Sequence, residues 1–157
     1  ADIWRYFNEQ LNSDLKDSSL NNLFILTDGY FDFESYRSKK QLANRYSSSL
    51  FLSQMRGDPD WKAKMEKGDF GIIPISKQFK SLQVCVLGIC PKYAHLDETD
   101  ILCFIWQKWL NEMEIPRHVF ILHGSLPKCC GLIKSFVARP GMPVNPNEMH
   151  EKNFKGY

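Results

Sequence analysis

The sequence predicts an α/β fold, a mostly parallel sheet flanked by helices on both faces. Two observations carry this reading. The runs Leu23-Phe24-Ile25-Leu26 and Gln83-Val84-Cys85-Val86-Leu87-Gly88-Ile89-Cys90 are nearly all apolar and lack the alternation of a half-exposed strand, as parallel strands covered on both faces do. Around them lie segments whose apolar residues recur at helical spacing, so helix and strand alternate along the chain.

The first helix runs from Asp2 to Asp14 or Leu15, with Ile3, Trp4, Phe7 and Leu11 on one face and Asp2 as its N-cap. Polar residues 17–22 break it before the strand at residues 23–26. That strand ends in Thr27-Asp28-Gly29-Tyr30, and in open α/β sheets ligands collect at the carboxyl ends of strands. Residues 31–57 form a long excursion. A short helix follows, with Asp58 as cap, Pro59 at the first helical position, Trp61 and Met65 four apart, and Gly68 as stop. The strand at residues 83–90 is closed by Pro91, which cannot continue a central ladder.

The next helix is capped by Asp97 or Thr99 and carries Ile101, Leu102, Ile105, Trp106, Trp109, Leu110 and Met113, a stripe wide enough to cover a sheet. A third strand spans Val119 to Leu122. The last helix spans Leu126 to Val137, with Ser125 as cap, Pro127 in the first turn, and Cys129, Leu132, Ile133, Phe136 and Val137 on one face. From Arg139 onward Pro140, Gly141, Pro143 and Pro146 prevent regular structure. The chain thus reads as one α/β domain over residues 1–138 and a tail or arm over 139–157.

Bulk properties narrow the function classes. The 157 residues suffice for one domain with a real core, and a formal net charge of +2 gives no electrostatic case for nucleic acid or an anionic membrane. No run approaches the ~18 apolar residues of a membrane span, and Ala1-Asp2-Ile3-Trp4-Arg5 is not a signal peptide. The five cysteines include no C-x-x-C spacing, and Cys85 and Cys90 point to opposite faces of a strand, so they share neither a metal nor a disulfide. Buried free thiols fit a reducing compartment, and the expected location is cytoplasmic.

The order of elements, with Leu23 to Gly29, Val84 to Ile89, Val119 to Leu122 and the helix after Pro127, resembles the carboxyl-terminal half of a von Willebrand factor A-like domain, a Rossmann-like fold. The likeness spans residues 2–137. The resemblance implies a non-catalytic, bacterial, intracellular protein-interaction module with a divalent-metal site on top of the sheet. Mg²⁺ or another divalent cation would be held there by Asp28 with Thr27, and a partner protein's acidic group would take the open position. The family's first metal loop, Asp-x-Ser-x-Ser, has no counterpart here, and neither has its second-loop threonine. The resemblance therefore implies either that an amino-terminal half lies elsewhere or that the chain departs from the family. It also implies an open edge on Leu23 to Leu26, expected to be covered by an outside segment rather than by residues 70–75, where Pro74 removes a ladder donor.

The residues read by themselves leave alternatives. Hard divalent ions want about six oxygen ligands, so Asp28 alone does not hold one tightly; Asp32 and Glu34 are near in sequence, and a turn-forming Asp-Gly is the plain alternative. A hydrolase or thiol enzyme would centre on Asp28, His123 and Cys129, with His118, Ser125 and Cys130 close by in sequence. Tyr36, Arg37, Lys39, Lys40, Arg45 and Tyr46 interleave aromatic and basic residues as an RNA surface would, but no RNA-binding signature accompanies them.

Overall fold

The computed structural model describes residues 2–31, 44–45 and 52–139. Its centre is a three-stranded, all-parallel sheet in the order β1 (Asn21–Leu26), β2 (Leu82–Ile89), β3 (Arg117–Leu122). Leu23 stands opposite Val84 and Cys85 opposite Val119. The helices are α1 (Ile3–Arg5), α2 (Leu11–Asp14), α3 (Trp61–Lys67), α4 (Glu98–Glu112) and α5 (Leu126–Ala138). α1 and α2 are joined without a break by a π-helical turn, Tyr6–Gln10, so residues 3–14 form one helical run. Asp2 caps it, its carboxylate accepting from Arg5 N at 2.9 Å.

Alternate side chains of β2 and β3 enter two separate cores, because successive residues of a strand face opposite sides. Val84, Val86 and Phe120 pack with Phe7, Ile105, Trp106 and Trp109, which places the first helical run and α4 on one face. Cys85, Val119 and Ile121 pack with Phe136 of α5 on the other. Helices therefore cover both faces, as the sequence predicts. Gly88 sits at a register shift between β2 and β3 with φ of +88°, a conformation costly for any residue with a Cβ.

Arg117 is buried beneath α5 without a carboxylate partner among the described residues. Its NH1 donates to Gln83 Oε1 and to the Phe136 carbonyl, both at 2.7 Å, and its guanidinium lies over the Phe136 ring. A cation at the carbonyl end of a helix is favoured by the helix dipole, which accounts for its place there.

Several expectations are corrected. β1 is not covered on both faces: among the described residues it is one of the two edge strands, Phe24 is 38% exposed and Leu26 80%. Its apolar run mimics a central strand because both side-chain sets are apolar, not because both are buried. Val137 does not join the packed face of α5 but stands exposed at its last turn. α3 begins at Trp61, two residues after Pro59; Asp58 shapes the preceding turn, its carboxylate accepting from Asp60 N at 2.9 Å and pairing with Lys64. Asp97 precedes α4 in a left-handed conformation without a side-chain cap bond. In keeping with the expectation from Pro74, residues 70–75 are not a strand; the Ile73 carbonyl accepts from two indoles, Trp4 Nε1 at 2.9 Å and Trp109 Nε1 at 3.2 Å. The tail from residue 140 lies outside the described residues. Among the described residues no helix is long and apolar enough to cross a membrane.

Candidate functional site

The carboxyl ends of the strands gather three loops: residues 27–31 after β1, 90–93 after β2 and 123–125 after β3. Thr27 and Asp28 are where the sequence puts them. Thr27 N and Cys90 N tie the first two loops together, donating to the Leu87 and Asp28 carbonyls, each at 3.0 Å. The side chains of both residues serve the turn itself: Thr27 Oγ1 accepts from Gly29 N at 3.1 Å and Asp28 Oδ1 from Tyr30 N at 3.2 Å. This is the Asx turn of the plain reading. Gly29 takes φ of +100°, and its carbonyl accepts from buried Trp106 Nε1 at 3.0 Å.

The Asp28 carboxylate is exposed, and among the described residues no group of three His, Cys, Asp or Glu side chains converges to hold an ion. One carboxylate with one oxygen already engaged, beside a hydroxyl that accepts a backbone bond, does not fit a hard divalent cation, which needs about six oxygens. Asp32 and Glu34 lie outside the described residues.

The Asp28, His123 and Cys129 constellation is not assembled as a nucleophile and base. His123 is exposed and anchored through its backbone, its N–H donating to the Ile89 carbonyl at 2.9 Å. The Cys129 thiol points to the Leu122 carbonyl, 4.0 Å away, whereas an activated thiol needs a base within hydrogen-bond reach. Arg45 is no stacking platform: it is buried, with NH2 on Glu112 at 2.6 Å and NH1 on Asp69 at 3.3 Å. Tyr36, Arg37, Lys39, Lys40 and Tyr46 lie outside the described residues.

Two features escape the sequence reading. The first is a buried polar cluster behind these loops. Glu98, at the start of α4, has no exposed surface; its Oε1 accepts from Arg56 Nε at 2.6 Å and from Arg56 NH2, and its Oε2 from Tyr93 N at 2.6 Å. The Arg56 guanidinium stacks over the Tyr93 ring, 4.4 Å from its centroid. Tyr30 stands beside Glu98; its hydroxyl accepts from Lys92 N at 2.8 Å, and burial pushes its pKa up to about 12. The cluster fixes the loops after β1 and β2 against α4. Arg56 and Glu98 are 42 residues apart, and no local pattern links them.

The second is a groove of about 790 Å³ along the outer edge of β1, whose far wall is the first helical run. Ile3, Tyr6, Gln10, Phe24, Leu26 and Asp28 are among its lining residues. The π-helical turn lies on this wall and supplies Tyr6 and Gln10 to it; such turns recur at functional sites. The edge-strand position of β1, which creates the groove, is a property of the sheet order.

Fold and site together define an α/β domain with exposed apolar side chains beside the groove at β1, Phe24 and Leu26, and others on α5, Leu126 and Val137. Comparisons with protein-family models, with curated proteins and with solved structures find no match.

Proposed function

We propose that this chain is a non-catalytic protein-interaction module, and that its contact surface is the β1 side of the sheet. The observation that carries the reading is the exposure of Leu26, 80% open to solvent, with Phe24 and a groove of mixed polar and apolar lining beside it. A lone exposed leucine means little, but contiguous apolar surface bordering a groove marks an interaction site. The von Willebrand A-like resemblance points to the same class of function. An ion-mediated contact through Asp28 and Thr27 needs oxygen ligands beyond these two, and the proposed contact uses the β1 surface alone.

Selection from a random twelve-residue peptide library against the immobilised chain tests it. The expected peptides bind the wild type, fail on the Phe24→Thr, Leu26→Thr double variant, and still bind the His123→Ala and Cys129→Ala variants. An empty selection overturns the reading. So does binding that depends on His123 or Cys129, which favours the hydrolase or thiol-enzyme alternative.

A further inference from the structure

We infer that the outer edge of β1 is an acceptor for one extended apolar segment of another polypeptide, which enters the groove and adds a fourth strand to the sheet. The inference rests on the interaction-module reading and names its partner class.

Backbone parity supplies the first argument. Asn21 N donates to the Ser81 carbonyl at 2.8 Å and Thr27 N to the Leu87 carbonyl at 3.0 Å, so the odd-numbered residues of β1 face β2. The N–H and C=O groups of Asn22, Phe24 and Leu26 therefore point outward, a row of three donors and three acceptors at the spacing of a ladder. The strand itself carries no edge-blocking feature: Asn21–Leu26 holds no lysine, no other charge, no proline and no bulge.

The groove fits a single strand. Its lining runs along β1 from Leu23 to Leu26 and on to Asp28, an extended stretch that one strand can follow, with the first helical run on the other side. A second copy of the chain fits poorly. Antiparallel pairing of β1 with β1 about a two-fold axis would bring both helical runs to the same side of the joined sheet, each into the other's groove. A segment without its own helix on that face avoids the collision. The groove also sets a charge preference: Asp2 and Asp28 line it, while Arg5 is engaged by Glu9 at 2.8 Å. The segment that complements it alternates apolar residues and carries a lysine or arginine at the Asp28 end.

The test is amide hydrogen exchange of the full chain, free and with the tightest peptide from the library, at ten times its Kd. The expected result is exchange slowed about elevenfold at Phe24 and Leu26, with Leu23 and Ile25 unchanged because their amides already face β2. N-methylation of the peptide at alternate positions should abolish binding in one phase only. Leu26→Pro removes an outward donor that the β1–β2 ladder does not use, and should abolish binding with a melting temperature near that of wild type; Leu26→Lys, an edge-blocking charge, serves should the proline variant fail to fold. A bound peptide that leaves Phe24 and Leu26 exchanging freely overturns strand addition while the interaction-module reading stands. Outward amides already protected in the free chain overturn it in favour of the chain's own segments, and a dimer dissolved by Leu26→Lys overturns it in favour of a second copy. An empty library selection overturns both readings.

Discussion

Removing the Glu98 carboxylate should be among the most damaging single changes in this domain. The side chain has no exposed surface, whereas the Arg56 side chain retains 14% of its own. Glu98→Leu deletes both guanidinium contacts and the acceptor for Tyr93 N, leaving a largely buried cation beside an aromatic ring. Charge-assisted hydrogen bonds contribute about 1.5–3 kcal/mol each, and breaking a buried ion pair from one side costs about 3–5 kcal/mol. Because Arg56 reaches some solvent, we expect the lower half of that range, about 3–4 kcal/mol. For a domain of this size that is a fall of about 10 °C in melting temperature. Arg56→Met should cost at least as much, since Glu98 has no route to water. The double variant should recover much of the loss, because two apolar side chains leave no charge buried. Urea titrations of the four proteins give the coupling energy, expected at about 2 kcal/mol or more. A loss under about 1 kcal/mol for Glu98→Leu, or additivity within about 0.5 kcal/mol, would refute the assignment of this cluster as the clamp on the loops.

Alkaline stability offers a second check. Burial pushes Cys85 and Cys103 up to about 12, and Tyr30 as well. Their stabilisation is complete below the unfolded values of about 8.5 and 10 and is lost as pH rises toward 12, so urea midpoints should fall across that window, less steeply in Cys85→Val. Millimolar Mg²⁺ or Mn²⁺ should leave the melting temperature unchanged if Asp28 and Thr27, which by themselves supply too few oxygens for a hard cation, are the whole of the site; an upward shift that Asp28→Ala removes would restore the metal reading. Gly29→Ala should lower stability by about 1–2 kcal/mol in thermal melts, because the residue sits at φ of +100° and its Cβ would lie 3.3 Å from Ile89 Cγ2. A neutral Gly29→Ala would mean that the loop relaxes freely.

Local signals made the elements legible. The first helix, its Asp2 cap, all three strands and α5 fall close to where periodicity and punctuation put them, since each is written in contiguous residues. The continuous apolar run of β1 overstates its burial, because it reports which residues could be covered, whereas coverage depends on sheet order, a long-range property. Asp28 and Thr27 were located correctly, but their hydrogen bonds are those of a turn, and sequence offers the same letters for a turn and for a ligand. The Arg56–Glu98 clamp and the burial of Arg45 between Asp69 and Glu112 join residues far apart in the chain, which no single-sequence pattern encodes.

The Ile73 carbonyl receives both the Trp4 and the Trp109 indoles, so one backbone oxygen of an irregular segment uses both its lone pairs to join the first helical run to α4. Neither helix can swing away without stranding an indole N–H in a largely apolar setting. The three elements should consequently open as one cooperative unit, and the far wall of the groove would share the lifetime of the core rather than that of a frayed terminus. An incoming strand would meet a wall already in place, with little of its binding free energy diverted to ordering one.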